Sequence, residues 1–175
     1  HTGMGYEDFR SRVPTFSYEE LFPYIERMIK GEKNILTSAP VLEYAKSSGT
    51  ANGKSKYIPT PKSYMKGNHL KGSYDMITFY ARAHPHTNIF SGKAISISGS
   101  YGKIPGSSAI AGDVSALMMN ASPWWTAGAR PYKKSLALNG DWQYKAKEIV
   151  NESLDENVVL LGGAPTWMLE ILEIA

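Results

Sequence analysis

Apolar positions along this chain recur with two different periods, and the period changes several times. Phe22, Ile25, Met28 and Ile29 return at helical spacing, and the run is preceded by Ser17 with Glu20 three residues on. That pairing is the capping-box arrangement, so a helix is predicted to start at Ser17 and to close at Gly31. Pro23 fits such a helix only near its start. Met65, Leu70, Met76, Ile77, Phe79 and Tyr80 predict a long helix over 63–82, weakened in its first half by Gly67 and Gly72. Ala94-Ile95-Ser96-Ile97-Ser98 has a period of two and predicts a strand over 93–100. Asp141 is placed to cap a helix reaching about Leu154, with Trp142, Ala146, Ile149 and Val150 on one face. The compact apolar run Asn157 to Leu161 reads as a buried strand. Gly162 to Pro165 reads as a sharp turn, and Pro165 suits the first turn of a helix burying Trp167, Met168, Ile171 and Leu172.

Between these elements the pattern is weaker. Lys56 to Thr60 reads as a short extended piece, Gly112 to Asn120 as a helix, 34–44 as irregular chain, 101–108 as a Gly/Ser/Pro loop and 1–5 as a loose start. Alternation of helices and strands predicts an α/β fold with a mixed sheet flanked by helices. The apolar helical pattern runs up to Ala175 with no cap after it, which reads as a fragment of a longer chain.

Composition narrows the classes. At 175 residues the chain is long enough for one domain with a real core, and 42% hydrophobic with 20% charged content is globular. A net charge of +3 with no dense basic run argues against nucleic acid as a partner. Cysteine is absent, which removes thiolate chemistry and fits a reducing compartment. No apolar run is long enough to span a bilayer, so no membrane partner is expected and the cytoplasm is the default location.

The densest chemistry lies in Ser47-Ser48-Gly49-Thr50-Ala51-Asn52-Gly53-Lys54-Ser55-Lys56. Glycines let a backbone approach a polyphosphate and present N–H groups, hydroxyls donate hydrogen bonds, and a lysine brings a point charge. A Walker-type loop needs four residues between its first glycine and Gly-Lys-Ser/Thr. Here Gly49 and Gly53 enclose three, and no strand of β-branched character precedes them. A second chemistry is the hydroxyl-rich loop of acyl-adenylate-forming enzymes. Against both stands the plain reading of a solvated loop.

The order Ser-Ser-Gly-Thr, small residues, Gly53, then Lys56 before Tyr57-Ile58-Pro59 resembles the signature of the plant auxin-responsive (Gretchen Hagen type) acyl-acid amido synthetases, in particular their bacterial branch. The resemblance extends over Glu7 to Arg10 with Val13-Pro14, Tyr18 to Glu20, Pro23 to Met28 and Gly31 to Leu36. It continues through Ser91-Gly92-Lys93, Gly112 to Ala116, Asp141-Trp142 and Gly163 to Trp167. Asn52 departs from it, standing where many members carry glycine; Asn tolerates the left-handed conformations such a loop uses.

The resemblance implies an ATP-dependent ligase using ATP and Mg²⁺. It would adenylate a small carboxylic acid and pass the acyl group to an amino acid or amine. Ser47, Ser48 and Thr50 would hydrogen-bond phosphate oxygens, Gly49 and Gly53 would permit close approach, and Lys56 would act as the catalytic cation. Gly163, Ala164 and Thr166 would border the acyl-acid pocket, where ordinary strand-to-helix packing is the competing reading. Residues 1–175 would be the N-terminal portion of the large N-terminal domain of an adenylating enzyme, incomplete and inactive alone, lacking the later motifs and the mobile C-terminal domain. A non-catalytic nucleotide- or protein-binding module of the same fold is the alternative class. A Walker-type phosphotransferase, depending on Lys54, is a third.

Other polar features carry less. His84 and His86 around Pro85 read as a surface turn rather than metal ligands, and no protein-held metal site is expected. His69 reads as a solvated helix position. Trp124-Trp125 reads as a core anchor, with a lid or interface as the other option. Gly99-Ser100-Tyr101-Gly102 is too lax to serve as a nucleophile motif.

Overall fold

The Ser17 hydroxyl starts the first long helix as the spacing predicts. In the computed structural model, which describes residue 3, residues 5–47 and residues 55–175, the Glu20 amide donates to Ser17 Oγ at 3.3 Å. Glu20 in turn accepts the Ser17 N–H at 2.7 Å. A short helix α1 (Tyr6–Arg12) precedes α2 (Tyr18–Ile29). The apolar pattern missed α1 because nothing in it is buried. Pro23 lies in the second turn of α2 rather than the first. The carbonyl it deprives belongs to Glu19, on an exposed face that water can serve. Gly31 ends the helix at φ 96°.

The chain then forms strand β1 (Glu43–Lys46) and, after the polar segment, β2 (Tyr57–Pro59). β1 corrects the reading of irregular chain before that segment and shows that a strand does lead into it. The helix expected over 63–82 is continuous but changes winding. It runs as α3 (Lys62–Tyr64), a π-helical stretch (Met65–Leu70) holding Gly67, and α4 (Lys71–Ala83). β3 (Lys93–Ser96) follows. The stretch expected to be a loop contains β4 (Tyr101–Lys103), which turns through Gly106 and returns as β5 (Ile110–Gly112). α5 (Val114–Ala121), a 3₁₀ turn (Trp124–Ala129) and α6 (Lys134–Ala137) come next. The chain finishes in α7 (Trp142–Asn151), β6 (Val158–Gly162) and α8 (Pro165–Ile174). Asp141 caps α7 as predicted, its carboxylate accepting the Tyr144 N–H at 3.1 Å.

The strands form a four-stranded sheet in the order β2-β1-β5-β4 and a two-stranded sheet of β3 and β6. β1 runs parallel to β5, and β3 parallel to β6; the other pairs are antiparallel. One core joins Ile95 and Ile97 of the small sheet to Ala146, Ile149 and Val150 of α7 and Ile171 of α8. A second joins Ile25 and Met28 of α2 to Tyr44, Ile104 and Ala109. Tyr101, half-buried and hydrogen-bonded to Glu43 at 2.7 Å, ties β4 to β1, and Asn120 of α5 joins the same carboxylate at 2.8 Å. Burial and that carboxylate hold the Tyr101 phenol well above its ordinary range, so it remains a donor.

Burial differs from expectation in three places. Among the described residues β6 is bordered by β3 alone, and Val158 and Leu160 are exposed instead of core. Leu172 is 61% exposed because the buried stripe of α8 is centred on Ile171. Trp124 is 87% exposed, and Trp125 packs beside Tyr74 at 5.9 Å; neither anchors the core. His84 and His86 lie exposed at a turn, as expected, while His69 is half-buried edge-on to Tyr64. Removing the α2 cap with Ser17→Ala should lower stability by about 1 kcal/mol in urea unfolding. An unchanged midpoint would show that α2 is held by packing alone.

Candidate functional site

Topology brings the predicted segments together. The C-terminal ends of the parallel strands β1 and β5 lie side by side, with Ala45 opposite Gly112. Ser47, two residues past Ala45, therefore leaves the sheet at the same end as Asp113, the residue after Gly112. In the small sheet, the Ile97 N–H donates to the Gly162 carbonyl at 2.7 Å, carrying the pairing past the end of β3. From Ile97 the chain passes through Ser98-Gly99-Ser100 into Tyr101, which pairs with Gly112. The C-terminal ends of β1, β5, β3 and β6 thus share one edge, joined by Ser98–Ser100. In open α/β sheets that edge is where ligands bind, because the backbone opens there into loops and helix starts.

The two ends of the polar segment are fixed to each other. Ser47 N–H donates to the Lys56 carbonyl at 3.0 Å, and Lys56 N–H donates to Ser47 Oγ at 2.9 Å. The Ser47 O–H is left to donate elsewhere. Lys56 Nζ reaches Glu19 Oε1 at 3.2 Å and sits 4.8 Å above the Tyr18 ring. Tyr18 also accepts the Tyr57 N–H at 2.8 Å, so the start of α2 buttresses the lysine. Glu19 is mostly exposed and Lys56 one-third exposed, so solvent weakens the pair and a phosphate could compete for the ammonium. The Glu19 backbone N–H first, and then the hydrogen bond and charge of Lys56, hold the Glu19 carboxyl below its usual range. Ser48, Gly49, Thr50 and Gly53, with Asn52 and Lys54, lie outside the described residues.

At the other end of the edge, Gly163, Ala164 and Thr166 are exposed at the start of α8, with Pro165 in its first turn. Gly163 is pressed against β3: a Cβ there would lie 2.8 Å from Ile97 Cβ. No other residue type fits without moving one strand end.

The junction between the sheets has its own polar contacts. Asp113 Oδ2 occupies space 1.2 Å from where a Cβ of Gly99 would stand, so the carboxylate rests directly on the Gly99 backbone. Lys145 of α7 is only 3% exposed and donates to the Ser98 carbonyl at 2.6 Å. Ser98 Oγ donates to the Ala137 carbonyl at 2.7 Å. Burial pulls the Lys145 ammonium below the ordinary lysine range, and the Asp113 charge opposes that pull.

A model described as the GH3 family N-terminal domain matches residues 2–172. The chain belongs to the GH3 family. A probable indole-3-acetic acid-amido synthetase (GH3.2) of Oryza sativa subsp. japonica is 47% identical over 55 residues, 31% of this chain and 9% of that protein. The indole-3-acetic acid-amido synthetase GH3.5 of Arabidopsis thaliana is 42% identical over 55 residues, 31% of this chain and 9% of its own length. The solved GH3.15 acyl acid amido synthetase has the same fold over 97% of this chain, with TM-score 0.69 at 19% identity. The structure titled as its complex with 2,4-DB superposes with TM-score 0.70. This chain covers 30% of that solved chain. The α/β fold with a mixed sheet and flanking helices is thereby that of the N-terminal part of a GH3 synthetase.

Within this GH3 domain, Ser47 and Lys56 flank one end of the edge and Gly163, Ala164 and Thr166 the other. Sequence reasoning missed Ser98, Gly99, Asp113 and Lys145 between them. One signal for Lys145 was present: it stands three residues after Trp142 and four before Ile149, a charge on the apolar stripe of α7. Among the described residues no group of three metal-ligating side chains occurs, and no helix is long and apolar enough to cross a membrane. An apolar groove of about 650 Å³ beside β6, lined by Leu154, Val158, Leu160 and Leu172, contains none of these edge residues.

The fit of Gly163 under Ile97 is testable. Gly163→Val should destabilise by about 1–3 kcal/mol, as overpacking does. Adding Ile97→Ala should recover part of that loss in a double-mutant cycle. Strict additivity of the two changes would refute the contact.

Proposed function

We propose that the protein containing this chain is an ATP-dependent ligase that adenylates a small carboxylic acid and transfers the acyl group to an amino acid or amine. In this reading, residues 1–175 are the first portion of its adenylating domain. The observation that carries the proposal is the shared strand-end edge of a GH3 domain: a cation and hydroxyl at one end, an open glycine turn at the other. The names of the relatives, indole-3-acetic acid-amido synthetases and an acyl acid amido synthetase, agree with an aromatic or aliphatic acid as substrate.

The chemistry asks for positioning and charge stabilisation. A carboxylate oxygen attacks the α-phosphorus of ATP, a P–O bond to pyrophosphate breaks, and negative charge builds on the phosphates. Lys56 turns from Glu19 toward the departing pyrophosphate, and the Ser47 O–H donates to a phosphate oxygen. Ser48, Gly49, Thr50 and Gly53 complete this cradle by the pattern of their sequence. The acid rests on the Gly163–Thr166 turn, its carboxylate directed along the edge toward the nucleotide. An amine nitrogen then attacks the acyl carbon, the acyl C–O bond to AMP breaks, AMP leaves, and the nitrogen gives up a proton to solvent. Among the described residues no cluster of three metal-ligating side chains occurs, so Mg²⁺ would be held chiefly by the nucleotide phosphates. There it would neutralise phosphate charge. The proposed setting is cytoplasmic.

Acid-dependent pyrophosphate–ATP exchange, run on the longest natural polypeptide containing this chain with a panel of small aromatic and aliphatic acids, tests the reading. Exchange is expected with at least one acid, and Lys56→Ala should reduce it by about 10²-fold, as losing a charge-stabilising group does. ATP binding without exchange would favour a non-catalytic nucleotide-binding module. Loss on changing Lys54 but not Lys56 would favour a Walker-type site.

A further inference from the structure

Lys145 has no part in the chemistry above, yet it is buried at the centre of the edge. Its Nζ donates to the Ser98 carbonyl at 2.6 Å and lies 5.5 Å over the Trp142 ring. Trp142 in turn stacks on Trp167 of α8, with ring centroids 5.3 Å apart, and its Nε1 donates to Glu170 of the same helix. Lys145 thus bonds the chain just past the end of β3 directly and reaches α8 through Trp142, linking the two walls that meet at the Gly163 turn. The first wall is the end of β3, where Ile97 bonds Gly162 and abuts Gly163. The second is α8, whose first turn carries Thr166. Asp113 stands on the far side of the same junction, resting on Gly99.

A lone stability role explains this poorly. Removing an ammonium from water is expensive, and a hydrophobic residue of similar volume at a buried charged site is often neutral or stabilising. What the ammonium adds is a directed hydrogen bond that fixes a backbone carbonyl.

We infer that Lys145 is a positioning residue for the acyl-acid site: it holds the Ser98 carbonyl and the Trp142 ring, and so sets the spacing between the β3 end and the Gly163–Thr166 turn against which the acid rests. This inference depends on the proposed acid-adenylating function. It places no demand on the nucleotide end of the edge, so it separates the two substrates.

The test is pyrophosphate–ATP exchange on the same full-length polypeptide, with the best acid of the panel. Apparent KM values for acid and ATP are measured separately in wild type, Lys145→Met and Trp142→Phe, with Ile149→Val as a core control. Lys145→Met should raise the acid KM about tenfold, the usual worth of a hydrogen bond to a charged group, and leave the ATP KM within about twofold. Trp142→Phe removes only the indole N–H and part of the ring shelf, and should raise the acid KM about threefold. It serves as the deciding variant if Lys145→Met does not fold. Ile149→Val should lower the melting temperature without moving either KM. Equal changes in both KM values, or an unchanged acid KM in the folded variants, would overturn the inference while wild-type exchange keeps the function. Absence of exchange by wild type with every acid would overturn both.

Discussion

The hydrogen bond from Ile97 to Gly162, with Gly163 packed beneath Ile97, fixes where β3 and β6 end relative to each other. Parallel strands put their carboxyl ends at one edge, so this single register decides where the chain after β6 begins α8. It also decides where the chain after β3 crosses to the larger sheet. Tyr101 enters that sheet opposite Gly112, and the parallel pairing of β5 with β1 then delivers Ser47 to the same edge. Slipping either parallel pair by a residue would turn its inward side chains outward and separate the ends. Two polar segments distant in sequence come to one edge through this chain of backbone pairings.

Electrostatics at the edge is graded by burial. Lys56 is one-third exposed and its partner Glu19 mostly exposed, so solvent screening leaves the pair weak. Lys145 is enclosed, bound to one carbonyl and opposed by Asp113, and has nowhere else to go. The first arrangement suits a group that must meet a ligand, the second a group that must hold a wall. Trp142 and Trp167 extend the held region into α8, so the turn at Gly163 stands between two fixed surfaces.

How legible each feature was in the sequence follows the distance its physics spans. The Ser17–Glu20 cap and the Asp141 cap are contacts across three residues and were read directly. β1 was invisible because Tyr44 and Ala45, adjacent and on opposite faces, are both buried, which erases alternation. β4 and β5 are three residues each, too short to show a period. The polar segment stood out in the sequence because its groups are contiguous, though residues 48–54 lie outside the described residues. The junction was not, since Lys145 and Ser98 are 47 residues apart and meet only through the pairing of β3 with β6 and the packing of α7 beneath it. The charge on the apolar stripe of α7 was the one local trace of that contact.

The claim on which the account stands is that one strand-end edge holds both the phosphates and the acid. It is tested most directly by a crystal structure of the full-length polypeptide bound to a non-hydrolysable acyl-sulfamoyl adenosine, whose sulfamate stands in for the α-phosphate. The account predicts the sulfamate within hydrogen-bond reach of the segment from Ser47 to Lys56, with the acyl group against Gly163, Ala164 and Thr166. An acyl group bound away from that turn, or an adenylate group held at another face, would contradict it.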